Sequence, residues 1–370
     1  MRVLIGIPCL LIGGTEIQTL NLVKALTANA HQVTTLCYYE YLSKMVLDYE
    51  QAGSQVECLS LDGTRVSAKE QIPFLYKGLK NALKNYRPDI IHIQYMTPGA
   101  IPIFLLRILG FRRIIATLHT SANAYKSTQW VRFIQKYAVK AFTCITQEAE
   151  KSFFGSSELY ADNTVLGARN HFTIYNVLPD YISIKNDQKR QGKPLLIGVV
   201  SRLEYIKGMD LVIPAFAQIL NHHPHARLLI IGNGTLYQQM KTETEKLGII
   251  NQVSFEGQQA PENLQTFYDR IDILLMPSRS EGFGLTAIEG MARGCVVVAS
   301  NTGGLPEVVK HEEVGLLHRS ESVQDMVAKI CMLINLPDKW QQLSDNARNY
   351  VQKYSFSNFN YLVNTLYQKL

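Results

Sequence analysis

Residues 277–304 read PSRSEGFGLTAIEGMARGCVVVASNTGG, directly after the apolar run ILLM at 273–276. That run has the length of a strand, and it stops at Pro277, which has no N–H to give to a ladder. A polar turn broken by glycines follows, a helical pattern opens near Leu285, and Val296–Ser300 begins a further apolar run. Strand, turn, helix and strand in that order make a βαβ unit, with parallel strands covered by helices on both faces. Gly282 and Gly284 remove side chains where backbone N–H groups point past a helix N-terminus, a natural seat for a diphosphate. Glu281 and Glu289 bracket the turn. A carboxylate touching phosphate would repel it, so these two acids fit better as acceptors for sugar and ribose hydroxyls. Acids placed only to stabilise a helix dipole are the plainer alternative.

The same alternation extends through the chain. Val3–Ile7, Val33–Cys37, Ile90–Ile93, Ile114–Leu118 and Phe142–Ile145 are apolar runs of strand length, separated by helical segments such as Thr15–Asn29 and Ile72–Tyr86. A polar, charged stretch at Tyr181–Pro194 interrupts the pattern and reads as a linker. Beyond it come Leu195–Val200, Arg227–Ile231, Val253–Phe255, Ile273–Met276 and Val296–Ser300. The expected architecture is α/β, two doubly wound parallel-sheet domains over 1–180 and 181–352, with a C-terminal helix over 353–370. Ligands of such sheets gather at the carboxyl ends of strands.

Two cations lie in SRLEYIKG at 201–208, just after one strand. Arg202 offers a bidentate fork and Lys207 a point charge, and together they suit one diphosphate. Solvated surface cations are the alternative. Gly13-Gly14 in the first turn and Gly232-Asn233-Gly234 after Arg227–Ile231 allow close backbone approach to a ligand, or simply tight turns. His119 closes the strand Ile114–Leu118. A lone histidine is ordinarily structural, yet its place at a strand's carboxyl end makes it the best catalytic candidate of the first domain. His222, His223 and His225 read as a surface loop. No His, Cys, Asp or Glu cluster has metal-ligand spacing, and GxSxG, P-loop and HExxH motifs are absent from the sequence.

Composition narrows the classes. At 370 residues, 46% hydrophobic and 18% charged, the chain is an ordinary globular protein and neither disordered nor fibrous. No apolar run reaches the roughly 18–20 residues that cross a bilayer. The start, MRVLIGIPCLLI, has the look of a signal peptide but reads better as a strand leading into a glycine turn and a helix. Six cysteines without CxxC spacing suggest small buried hydrophobes and a cytoplasmic, reducing setting. The net charge of +6 is uneven, with 18 lysines and arginines against 13 acids in residues 1–180. Such an excess suits an anionic ligand or membrane face, and no nucleic-acid motif accompanies it. Arg107, Arg112 and Arg113 around IPIFLLRILGF suggest peripheral contact with the inner membrane face, against the alternative of an ordinary buried helix over 101–109.

Taken together, GGTE (13–16), His119, SRLEYIKG (201–208), GNG (232–234), EGFGLTAIE (281–289) and NTGGLPEVV (301–309) resemble the retaining glycosyltransferases of family 4, also called group 1. The resemblance runs from residue 13 past 309 with the motifs in family order. It implies the GT-B fold, two Rossmann-like domains facing across a cleft, and a last helix that crosses back to the first domain. It implies a hexose or N-acetylhexosamine taken from a nucleotide diphosphate sugar, UDP-sugar before GDP-mannose, and passed to a hydroxyl of a glycan or lipid-linked acceptor. Arg202 and Lys207 would hold the diphosphate, and Glu289 the ribose. Glu281 and the backbone of Gly282, Phe283, Gly284 and Leu285 would hold the sugar. Gly14 and Gly232 would approach the donor, Glu256 would lie in the stretch bordering the base, and His119 would contact the sugar.

Two departures fall on the acceptor side: Thr120 where the family often has Asp, and Val177 where it often has Gly. Without an evident nucleophile, the mechanism expected is front-face substitution, with no metal cofactor. A nucleotide-sugar epimerase or a non-catalytic sugar-nucleotide binder of the same fold are the rival functions. A dinucleotide dehydrogenase is disfavoured, because PCLLIGGT stands where GxGxxG would follow the first strand.

Overall fold

The computed structural model describes residues 1–95, 100–120, 122, 127–167, 169–185 and 195–370, with the side chain of residue 95 left aside. The chain forms two compact units, one of Met1–Val177 with Tyr354–Leu370, the other of Leu178–Lys353.

The first unit is built on seven parallel strands. In chain order they are β1 (Arg2–Ile7), β2 (Gln32–Cys37), β3 (Ser54–Cys58), β4 (Ile90–Tyr95), β5 (Ile114–Leu118), β6 (Ala141–Cys144) and β7 (His171–Thr173). Their order across the sheet is β3-β2-β1-β4-β5-β6-β7. Neighbouring residues of a strand enter opposite cores. Leu4, Ile91 and Ile93 pack on one face with Leu75, Leu79 and Ile103. Val3, Ile5 and Ile90 pack on the other with Leu22, Leu26 and Val363. That two-sided burial is why these strands read as unbroken apolar runs. The C-terminal helix Phe356–Gln368 lies on the second face beside the helix Gly14–Ala28.

The second unit has six parallel strands: β8 (Leu196–Val200), β9 (Arg227–Ile231), β10 (Val253–Gly257), β11 (Ile273–Met276), β12 (Val296–Ser300) and β13 (Gly315–His318). They run β10-β9-β8-β11-β12-β13. Each sheet reverses its winding once, between β1 and β4 in the first unit and between β8 and β11 in the second. A ligand crevice opens at such a reversal.

Three strands escape the sequence reading. β3 is a polar edge strand, β7 has three residues, and β13 has four. Each is too short or too polar to show as an apolar run in the sequence. The linker expected at 181–194 is corrected over its first residues. Ser183 pairs with Gln265, and the Lys185 N–H donates to the Ala292 carbonyl, so this stretch is fastened to the second unit. Residues 186–194 lie outside the described set. In the apolar segment 101–111, the helix Ala100–Ile108 buries Pro102, Ile103, Leu105 and Leu106, as the buried-helix alternative has it, and leaves Ile108 exposed. All six cysteines are free, with Cys58 and Cys331 only half-buried. Among the described residues no helix is long and apolar enough to cross a membrane.

Candidate donor and acceptor-side sites

The loops leaving β8 and β11 carry most of the predicted groups, and the structure brings two of them together. Lys207 Nζ donates to Glu281 Oε2 at 2.7 Å, although 74 residues separate them in sequence. Both side chains are over four-fifths buried, at 18% and 17% exposure. A largely buried ammonium beside a largely buried carboxylate is a charge pair that an incoming ligand can divide, the cation to an anion and the carboxylate to hydroxyls. Arg202, on the same loop, is exposed.

Close backbone contacts weld these loops. Gly208 has φ +67°, and a Cβ there would stand 2.0 Å from the Pro277 carbonyl oxygen. Gly303, at φ +52°, would place a Cβ 2.1 Å from the Glu281 carbonyl oxygen. Neither place admits a side chain, so the loops after β8, β11 and β12 meet backbone to backbone. Arg279 adds a second tie. Its guanidinium forks onto Asp210 at 2.6 and 2.9 Å, reaches Glu321 at 2.8 Å, and lies 3.7 Å above the Tyr205 ring.

The helix Leu285–Ala292 starts where the glycine turn predicts, with Gly284 in the left-handed region at its N-cap. Gly282 and Leu285 are half-buried, whereas Phe283 is 2% exposed, so its ring is a core group and only its backbone borders the turn. Glu289 sits inside this helix, 5% exposed. Its Oε2 accepts from the Tyr268 hydroxyl at 2.7 Å and its Oε1 from the Tyr181 hydroxyl at 3.0 Å. Burial raises the Glu289 carboxyl above the ordinary range, and the two hydroxyls pull it back. Two oxygens offer about four lone-pair directions, so acceptor capacity is left for a ligand's hydroxyls. On the other side of the sheet, the Gly232 N–H donates to the Gly257 carbonyl at 2.8 Å, and Glu256 is half-buried on β10.

In the first unit, Gly14 opens the helix after β1, and Glu16 beside it is buried and accepts from the Cys9 thiol. His119 leaves β5 and shares a cavity of about 40 Å³ with Gln94, His92, Thr117, Asn176 and Tyr367 among its lining residues. His119 Nε2 meets Gln94 Oε1 at 2.6 Å. An amide oxygen only accepts, so Nε2 carries the proton and Nδ1 keeps its lone pair. His92 is held by Tyr367 at 2.7 Å and by Thr117 at 2.6 Å, which ties the C-terminal helix to the sheet. The Val177 N–H and carbonyl both pair with Gln18 at 2.8 Å, a clamp at the position where the family often has glycine.

Burial brings His92 down to about 3, and loss of hydration brings His119 down to about 4. Both rings are therefore neutral near pH 7. A folded-state value below the unfolded one means that unfolding takes up protons. The stability from neutral burial of His92 is whole above pH ~6.5 and drains as pH falls toward 3, by up to about 1.4 kcal/mol per pH unit. Urea denaturation at pH 7, 6 and 5 should show this slope in wild type and less of it in His92→Gln. Equal slopes in both proteins would contradict the assignment.

The family models match on both units. The description "Glycosyl transferase 4-like" covers residues 9–149 and "Glycosyl transferases group 1" covers 180–350. The chain belongs to the group 1 glycosyltransferases. Among the relatives of this hexosyltransferase is the D-inositol 3-phosphate glycosyltransferase of Corynebacterium aurimucosum, 26% identical over 78% of this chain and 75% of that protein. The N-acetyl-alpha-D-glucosaminyl L-malate synthase of Bacillus anthracis is 25% identical over 71% and 70%. The Anabaena protein HepE, solved in complex with UDP and glucose, superposes with a TM-score of 0.78 at 20% identity, covering all of both chains. The glycosyltransferase thus has the GT-B fold of two Rossmann-like units. Its Tyr181, Tyr268 and Arg279 were not legible as site residues. A tyrosine in a linker-like stretch, another in an amphipathic helix and an arginine in a polar loop carry no distinguishing pattern.

Proposed function

We propose that the enzyme transfers a hexose or N-acetylhexosamine from a UDP-sugar to a hydroxyl of a glycan or lipid-linked acceptor, with retention at the anomeric carbon. GDP-mannose is the next donor to consider. The carrying observation is the Lys207–Glu281 pair at the carboxyl ends of the central strands β8 and β11, a cation and a carboxylate side by side. Lys207 and Arg202 serve the diphosphate, Glu281 and the backbone of 282–285 serve the sugar, and Glu289 serves the ribose. UDP is favoured because HepE, of the same fold, was solved with UDP and with UDP-glucose.

In the proposed reaction the bond from the anomeric carbon to the β-phosphate oxygen breaks. The acceptor oxygen bonds to that carbon on the same face, and its proton passes to the departing phosphate. Charge grows on the phosphate as the bond lengthens, where Lys207 and Arg202 lower the barrier. We assign this neutralisation to side chains rather than a metal, so turnover should persist in a chelator. Its loss in EDTA and return with Mn²⁺ would reverse that assignment. The free cysteines suit a reducing, cytoplasmic setting.

A thermal-shift screen over UDP-, GDP- and ADP-sugars tests the donor. A ligand at about 100 times its Kd adds roughly 2.7 kcal/mol of stability. Proton NMR of the product then tests the stereochemistry, and inversion at the anomeric carbon would refute the retaining reading. An epimer formed from donor alone would refute transfer.

A further inference from the structure

The helix Gln129–Tyr137 in the first unit has two apolar faces. Val131 and Ile134 are buried in the core, while Trp130, Phe133 and Tyr137 stand exposed at 63%, 45% and 58%. Spaced three and four apart, these three share the outer face. Their rings touch in series, Trp130 to Phe133 at 6.1 Å and Phe133 to Tyr137 at 5.1 Å. Phe104, from the neighbouring helix Ala100–Ile108, lies against both Trp130 and Phe133 at 6.1 Å. One turn beyond Phe104, Ile108 is 74% exposed and continues the stripe. Water-facing aromatics gathered this densely are unusual on a soluble surface unless something covers them.

The charge around the patch says what covers it. Residues 90–147 contain seven lysines and arginines and neither Asp nor Glu. Arg107, Arg112, Arg113, Lys136 and Lys140 belong to this stretch, and none has a carboxylate partner among the described residues. Lys136 stands 5.2 Å over the Tyr137 ring. A protein partner built to this face would need a matching acidic surface around an apolar pocket. An anionic bilayer presents both everywhere, with headgroup charge above and acyl chains beneath, and Trp and Tyr favour that boundary.

We propose that this face docks on an anionic lipid bilayer, with Trp130, Phe133, Tyr137 and Ile108 entering the headgroup boundary and the surrounding cations meeting lipid phosphates. The docking needs no sugar nucleotide and stands apart from the donor assignment. It centres on the aromatic helix Gln129–Tyr137, with only Ile108 taken from the apolar segment 101–111.

The test is co-sedimentation of the full chain with phosphatidylcholine vesicles, with and without about 30% phosphatidylglycerol, at low and high salt. Tryptophan emission is read in the same samples. Binding and a blue shift with the anionic vesicles, weakened by salt, are expected. Trp130→Ser with Phe133→Ser should abolish the blue shift and most binding. Arg112→Gln with Arg113→Gln should weaken partitioning about 30-fold, near fivefold per cation. All four positions are exposed, and circular dichroism with UDP thermal shift checks that the variants fold. Equal recovery in the supernatant for both vesicle types overturns the proposal. So does lipid-independent association into dimers that the double serine variant abolishes, since the face would then serve a second copy of the chain.

Discussion

Lys207→Ala is expected to lower turnover by about 10² to 10³, with a smaller rise in donor KM, because removing a preorganised charge aimed at a developing oxyanion costs about that much. The diphosphate carries more charge on its departing oxygen in the transition state than in the bound donor. The loss therefore falls on kcat more than on binding. The substitution also leaves Glu281, 2.7 Å from Lys207 in this structure, without its cation and close to the diphosphate. Glu281→Gln in the same chain removes that added repulsion. The double variant should recover part of the lost turnover, which a double-mutant cycle reads as coupling between the two sites. An unchanged turnover number with a raised KM would show that Lys207 binds ground and transition states alike.

Glu289→Ala should act on folding and on donor binding together. It strands the Tyr268 and Tyr181 hydroxyls, and each buried group left without its partner costs about 1–3 kcal/mol. Loss of a charged acceptor for the ribose should weaken UDP binding by about 10- to 100-fold. Glu289→Gln separates the two effects. It keeps the volume and one acceptor oxygen, so denaturant midpoints should recover while UDP affinity measured by calorimetry stays at least about tenfold down. A well-folded Gln variant with wild-type affinity for UDP would reduce Glu289 to a structural anchor.

The two βαβ halves were legible because their central strands are buried on both faces and so read as unbroken apolar runs. The glycine turn before the helix was legible because Gly282, Gly284 and the helix start at Leu285 lie within a few residues of one another. What joins distant segments was not legible. Nothing local in 201–208 or 277–284 tells that Lys207 reaches Glu281, or that Gly208 seats against Pro277. The role of Gly303 was hidden for the same reason, since its close neighbour is the Glu281 backbone on a different loop. The apolar segment 101–111 left two readings open, because a buried helix and an interfacial one have the same composition; the helices Ala100–Ile108 and Gln129–Tyr137 differ mainly in which face the core takes.

The most direct test of the donor site is a crystal structure with UDP bound. The diphosphate should lie within hydrogen-bond reach of Lys207 Nζ and the Arg202 guanidinium, with the ribose hydroxyls on Glu289 and the Lys207–Glu281 contact opened. UDP seated elsewhere, with that contact intact and Glu289 engaged only by Tyr181 and Tyr268, would contradict the account.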